Sequence, residues 1–354
     1  MSLDWLDDPR HADLRAALGD RRRMWLVTGA AGFIGSNLVE ALLLLGQKVR
    51  GMDNFATGRR ENLADIQRRV GAERWQSFEF LEADIRDLEQ SRHAVSGVDI
   101  VLHQAALGSV PRSISDPLGS FHSNVAGFLN IIDAVRTEGK PRFVYASSSS
   151  VYGDEPNLPK SEDRIGKPLS PYAATKYIDE VIAEQMSRTY GLGCVGLRYF
   201  NVFGPRQDPD GPYAAVIPKW IAAMLGGAAV DVYGDGETSR DFCFIDNVVQ
   251  ANLRAALIDA EAGHSVYNVA LGGRATLNDL FESIRAGLNR SGHAYALEPV
   301  YKAFREGDIR HSQADVSRIA EAIGFVPQVS LGEGMARTIS WYLQNVAAAP
   351  AAAG

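Results

Sequence analysis

The chain alternates between short apolar runs of strand length and longer stretches of helix length. Residues 24–28 (MWLVT) read as a buried strand, residue 35 onward through SNLVEALLLLG as a helix closed by Gly46, and residues 48–52 as the next strand. Apolar strands recur at 78–80, 100–103, 142–146 and 195–199, each separated from the next by enough chain for a helix, and a short helix over about 13–18 precedes them all. This alternation predicts an α/β fold, a Rossmann-type doubly wound parallel sheet whose ligands lie at the carboxyl ends of the strands.

From residue 201 the pattern loosens. FNVFGPRQDPDGPYAAVIPKW is rich in Pro and Gly, and short strands at 230–233 and 266–269 mix with helices. We expect a dinucleotide-binding domain over 1–200 with a returning segment at about 235–262, a smaller mixed α/β substrate lobe over 201–346, and a flexible tail at 347–354 that has nothing large to bury.

Composition narrows the function classes. At 354 residues, with 46% hydrophobic and 22% charged positions, the chain can build a core without disulfide or metal support. Thirty-six Lys and Arg against 43 Asp and Glu leave a net charge of -7, which argues against a nucleic-acid partner. Cys194 and Cys243 lack CxxC spacing, so buried thiols in a reduced compartment are expected, with no disulfide and no zinc. The first residues are acidic and carry no signal-like apolar core, and the longest apolar run, 41–45, is far too short to span a bilayer; the expected location is cytoplasmic, without membrane contact.

Gly29, Gly32 and Gly35 form GxxGxxG between a strand and a helix, where missing side chains permit a tight turn and close approach to a pyrophosphate; a glycine-rich turn without ligand has the same spacing. Asp53 ends the second strand, where a carboxylate bonds ribose hydroxyls and repels a 2'-phosphate, which favours NAD over NADP. Asp84 has two readings, an adenine-edge partner or an exposed helix cap. Arg59 and Arg60 read as a solvated face.

Tyr172 and Lys176 are spaced YxxxK, which on a helix puts phenol and ammonium on one face, and Pro171 marks the helix start. The run Ser147 to Ser150 follows the strand FVYA at a sheet end. A phenol is a poor base at neutral pH, but an adjacent ammonium and a cationic nicotinamide both favour its phenolate, and a serine hydroxyl can bridge it to a substrate hydroxyl.

TGAAGFIGSN, DNFATG, HQAALGSVPRS, SSSSVYGD, SPYAATKY, RYFNVFGPRQ, DGETSRDF and FREGDIRHS occur in this order between about residues 27 and 315. In these motifs the chain resembles the extended short-chain dehydrogenase/reductases, specifically bacterial UDP-N-acetylglucosamine 4-epimerases of surface-polysaccharide synthesis. The resemblance implies Tyr172 as base, Lys176 as its activator and ribose ligand, and Ser148, four residues before Tyr152, as the catalytic serine, with Ser149 and Ser150 lining the same pocket. Which of the three relays the proton stays open. It adds Phe33, Ile34, Asn54, Gly58, Ile85, Gln104, Ala105, Ala106 and Tyr199 to the NAD site. For a UDP-sugar it implies Asn201, Val216, Lys219 and Tyr233, with Arg240, Arg305 and Asp308 at the pyrophosphate and uridine ribose. Gly108, Ser149, Ala215 and Ser312 line the sugar pocket in the same comparison, and a homodimer is typical of the family. Read from the residues alone, Arg240–Asp241 is equally a surface ion pair, Arg305 a solvated loop residue and Ser312 a packing serine.

The resemblance also orders the reactions. Related dehydratases carry Asp and Glu after the catalytic Ser or Thr to eliminate water, whereas this chain has Ser149 and Ser150. Neither cysteine occupies a motif for four-electron oxidation. Epimerisation at C4, with transient oxidation by tightly bound NAD, asks for the least. Serine at 312 leaves room for a 2-acetamido group where a large aromatic excludes it, so UDP-N-acetylhexosamines are the expected substrates. The competing expectations are a plain or uronic UDP-sugar epimerase, a dehydratase or oxidoreductase, and an NAD-sensing regulator.

Overall fold

The fold was taken from a computed structural model, which describes residues 3–210, 214–258, 263–304 and 309–345. Seven parallel strands form one sheet: β1 Met24–Thr28, β2 Lys48–Asp53, β3 Phe78–Glu82, β4 Ile100–His103, β5 Arg142–Ser148, β6 Cys194–Tyr199 and β7 His264–Val269. Their spatial order is β7-β6-β5-β4-β1-β2-β3. The expected doubly wound α/β sheet is therefore the architecture. Thr28 faces Met52 on one side and His103 on the other, so the strands at the centre end level. The chain order reverses about β1, and there the crevice opens.

Both faces of the sheet are covered. In β1, Trp25 and Val27 enter one apolar core with Leu38 and Leu42, whereas Leu26 enters the other with Val101, Phe128 and Phe143. Alternate side chains point to opposite faces, and when both faces are buried the strand reads as an unbroken apolar run. The helix Pro171–Tyr190 has orthodox boundaries: the Ser170 hydroxyl accepts the Ala173 N–H, Pro171 opens the first turn, and Gly191 closes the helix in the left-handed region.

One strand lies elsewhere than expected. Residues 266–269, assigned above to the second lobe, belong to β7, which pairs with β6 from His264↔Cys194 to Val269↔Tyr199. Nothing local in HSVYNV names that partner, which lies far back in the chain.

The second lobe is built from short pieces. Asp231–Tyr233 pairs with Val300–Lys302, and Ser239–Arg240 pairs with Ala275–Thr276. Thr276 and Asp279 form a reciprocal capping box that opens the helix Leu277–Arg290. At the N-terminus the short helix is Ala12–Asp20, and buried Arg254 fastens its start and the segment before it, donating to Asp13 at 3.0 Å and to the Arg10 carbonyl at 2.9 Å. Cys194 and Cys243 are free and buried. Among the described residues, no helix is long and apolar enough to cross a membrane. The tail expected at 347–354 lies outside the described residues.

Candidate active site

The ends of β1, β2 and β4 open into a cleft of about 650 Å³. Its floor is glycine by necessity. A Cβ on Gly35 would lie 2.0 Å from the Gly29 carbonyl oxygen, and one on Gly29, whose φ is +67°, would lie 2.9 Å from the Ala105 nitrogen. No side chain fits at those approaches, which press strand, turn and helix together. The helix Phe33–Leu44 starts at the cleft, with Phe33, Ile34 and Gly35 in the lining, so its positive end faces the place of a pyrophosphate. The Thr28 hydroxyl accepts the Gln104 and Ala105 N–H groups at 3.2 Å and lies 2.8 Å from His103 Nδ1. Burial, with the Lys176 ammonium nearby, holds His103 down to about 3, so the ring beside Thr28 is neutral.

Asp53 lies at the cleft end of β2. Its carboxylate accepts the Ala31 N–H at 2.9 Å and the Phe55 N–H at 2.7 Å, and a Cβ on Gly58 would meet both oxygens at 2.8 Å. Burial pushes this carboxyl up against the pull of those N–H groups. A carboxylate at the end of this strand suits ribose hydroxyls. Asp84 lines the cleft but is held by Arg86 and, at 2.9 Å, by Asn54; Arg86 draws its carboxyl down to about 2. The helix cap considered for Asp84 is supplied by Asp87, which accepts the Gln90 N–H. Arg59 pairs with Asp208 at 3.0 Å and Arg60 with Glu82 at 2.8 Å, so both cations are answered by carboxylates on a solvated face. Asn54, Gly58, Ile85, Gln104, Ala105 and Ala106 all line the cleft, together with Gly108 and Ala215 from the expected substrate set. Tyr199 is buried beneath it, its hydroxyl donating to Gln104 at 3.0 Å and accepting from Asn252 at 2.9 Å. A glycine floor, a helix N-terminus and a strand-end carboxylate fit a dinucleotide with free ribose hydroxyls.

The expected catalytic residues, Ser148 to Ser150, Tyr172 and Lys176, are not among the residues that line this cleft. β5 ends in Ser148, whose hydroxyl accepts the Ser150 N–H at 3.2 Å and the Ser150 hydroxyl at 3.0 Å. Ser148, Ser149 and Ser150 are half-buried at the strand end, whereas Ser147 turns inward to Glu180. Tyr172, also half-buried, stands in the first turn of its helix, and its N–H donates to Ser113 at 3.0 Å. That bond ties the helix to the segment carrying Ser109 and Arg112, both in the cleft wall. One turn on, Lys176 is buried and donates to the Ala146 carbonyl at 3.0 Å and to Asp179 at 3.2 Å. The ammonium therefore lies against β5, two residues before Ser148. Beneath, Glu180 binds Arg198 at 2.9 and 2.8 Å, Arg198 donates to the Tyr152 hydroxyl at 3.1 Å, and Tyr152 donates to Asn268 at 2.6 Å. This network fixes β5, β6, β7 and the Tyr172 helix relative to one another.

The residues expected to hold the substrate are joined across long sequence distances. Ser312 N–H donates to the Ser239 carbonyl at 3.0 Å, and Ser239 N–H donates to the Arg310 carbonyl at 2.9 Å, so Ser312 lies beside Arg240. The surface ion pair considered for Arg240–Asp241 is not formed. Asp241 is buried and accepts the Leu271, Gly272 and Ala314 N–H groups at 3.0, 3.0 and 3.2 Å, while Arg240 donates to the Ser239 carbonyl at 3.0 Å. Asn201, at φ +33°, donates to the Asp241 carbonyl at 3.1 Å, which brings it to the same junction. Tyr233 ends its short strand half-buried, Val216 opens the helix Val216–Leu225 half-buried, and Lys219 is exposed on that helix. Arg305 and Asp308 lie outside the described residues.

Two residues of the site went unnoticed in the sequence. Asn124 accepts the Leu107 N–H at 2.8 Å and donates to Thr175 at 3.1 Å, coupling the cleft wall to the residue before Lys176. Arg206 lines the cleft, buried, and binds Asp65 at 2.9 Å and Glu40. The available signal was Glu40 itself, a carboxylate within the apolar helix NLVEALLLL.

Comparison with known proteins agrees with this geometry. Residues 25–270 match the NAD dependent epimerase/dehydratase family. Over 319 residues the chain is 39% identical to the UDP-glucose 4-epimerase of Mycolicibacterium smegmatis, covering 90% of this chain and 97% of that protein. It is similar to the solved UDP-N-acetylglucosamine 4-epimerase of Methanobrevibacter ruminantium M1 in complex with UDP-N-acetylmuramic acid, at 38% identity and a TM-score of 0.83, over 92% of this chain and 99% of that one. The UDP-glucose 4-epimerase of Thermotoga maritima with UDP-glucose follows at 35% identity and a TM-score of 0.82, over 91% and 99%. With its glycine floor, its strand-end carboxylate and this kinship, the chain belongs to the NAD dependent epimerase/dehydratase family, and NAD is its cofactor.

Proposed function

We propose that this chain is a UDP-sugar 4-epimerase that interconverts UDP-N-acetylglucosamine and UDP-N-acetylgalactosamine. The observation that carries the reading is the arrangement of Tyr172 and Lys176 one helical turn apart, with Lys176 held to β5 two residues before Ser148 and with serines and no carboxylates at 149 and 150. Tyr172 takes the proton of the sugar C4 hydroxyl, and the serine hydroxyls bridge that oxygen to the phenol. Bound NAD supplies the acceptor and later the donor of a hydride at C4. Lys176 uses two of its three N–H bonds on Ala146 and Asp179 and keeps one for the cofactor ribose or the phenolate. Arg240 anchors the diphosphate while the oxidised sugar turns over, and the resemblance gives Arg305 the same role.

For the sugar, the small residues at Gly108, Ala215 and Ser312 support a pocket with room for a 2-acetamido group. A Cβ on Gly108 would meet nothing within 4 Å. Plain UDP-glucose and UDP-galactose are the second reading, favoured by the Mycolicibacterium relative. The expected homodimer belongs to the proposal too: Leu118 and Phe121, with Tyr177 and Val181 of the Tyr172 helix, leave apolar surface for a second copy to cover.

The direct test is to incubate the purified protein with UDP-N-acetylgalactosamine, without added NAD, and follow the anomeric signals by proton NMR. UDP-N-acetylglucosamine appearing without lasting NADH absorbance supports the reading; accumulation of a 4-keto product refutes it. Tyr172→Phe should lower turnover by about 10² to 10⁴ while NAD and UDP-sugar still bind. Unchanged turnover would remove Tyr172 as the base.

A further inference from the structure

We propose that Asp179 is a positioning residue for this reaction: its buried carboxyl holds the Lys176 ammonium and competes with the Tyr172 phenolate for that one positive charge. The proposal rests on Tyr172 being the base. Residues 172, 176 and 179 follow one face of the helix at spacings of four and three, so Lys176 lies between the phenol and the carboxyl. Asp179 is fully buried, with one oxygen 3.2 Å from Lys176 Nζ and the other buried without a hydrogen-bond partner. Such a carboxylate depends on the ammonium for nearly all of its stabilisation, and the ammonium is the charge that a phenolate at Tyr172 also needs.

Other titratable groups face this pair. His103, on β4, stays neutral because burial and Lys176 hold it down to about 3. Burial pushes the Cys194 thiol on β6 up to about 12 and the Tyr145 phenol on β5 higher than usual. Glu180, next along the helix, is committed to Arg198, which is itself held in its charged form. Asp179 differs: burial raises its carboxyl to about 7, against the pull of Lys176. Asp179 thus changes charge beside the same ammonium that a phenolate at Tyr172 needs, and ionisation of either opposes ionisation of the other.

The experiment is a spectroscopic titration of the Tyr172 phenolate in the NAD-loaded protein, with Tyr172→Phe as the blank, alongside the pH profile of kcat/KM. Wild type should titrate broadly. In Asp179→Asn, whose amide oxygen still accepts from Lys176, the transition should narrow to a single step and finish about one pH unit lower, with the acidic limb of kcat/KM moving with it. Should the Asn variant fold poorly, Asp179→Ser removes the same charge with less bulk. A profile of unchanged breadth and midpoint in the folded variant, even with reduced kcat or melting temperature, overturns the proposal. If Tyr172→Phe itself remains active, the base assignment has failed instead, which is a separate result.

Discussion

On the cofactor side of the cleft, Gly29, Gly32 and Gly35 fall within one turn of chain, and Asp53 arrives at the end of the very next strand. In the part of the second lobe where the proposal puts the substrate, Arg240 and Ser312 come from distant segments and meet only because the main chain of 310–312 pairs with Ser239. The first half is specified by local sterics and by the hydrogen bonds of consecutive residues. The second is specified by tertiary pairing, with Asp241 as its buried junction. A site can therefore be rigid on both sides and still be written in the sequence in two different ways.

The sharpest break in this comparison is Gly35→Ala. The new Cβ would lie 2.0 Å from the Gly29 oxygen and 2.7 Å from its carbonyl carbon, both backbone atoms that cannot swing away. Relieving the overlap requires the turn and the helix to separate, which we expect to cost about 3 kcal/mol or more. NAD released on denaturation and counted against protein should fall to near zero. Full retention of NAD with an unchanged melting temperature would show that the glycine floor is not the constraint described.

Asp241→Ala tests the other half. It leaves the Leu271, Gly272 and Ala314 N–H groups without their acceptor in a buried place, a loss of roughly 3 kcal/mol at the junction that holds Arg240 near Ser312. The melting temperature should drop and KM for the UDP-sugar should rise, while bound NAD stays near wild type. Loss of NAD and substrate binding together would mean that the two halves are one cooperative unit.

The same contrast explains what could be read in advance. β1, β4, β5 and β6 are buried on both faces, so their apolar runs stand out, and the glycine spacing follows from backbone contact within one turn. β7 begins with three half-buried residues, HSV, and only its partner β6 makes it part of the sheet. Charged residues were the other blind spot. Glu40, Arg206 and Asp179 have surface chemistry in a sequence, and only the folded chain supplies the partners that let them be buried. Asp241 was legible as an acid next to Arg240, but its three N–H donors come from segments that no local pattern connects to it.

Ser312→Tyr carries the smallest expected effect and bears on substrate identity alone. Position 312 is half-buried and held through its main chain to Ser239, so a substitution there changes what projects from a fixed backbone. A phenol ring adds volume where the proposed pocket needs room for a 2-acetamido group, and neither Tyr172 nor the cofactor floor is altered. Turnover of UDP-N-acetylgalactosamine should fall about tenfold relative to that of UDP-galactose, a difference of roughly 1.4 kcal/mol between the two transition states. Because the comparison is a ratio measured on one variant, any general loss of stability or of NAD cancels. Equal depression of both substrates would assign residue 312 to packing of the lobe, and the sugar preference would then have to come from the Gly108 and Ala215 side of the cleft.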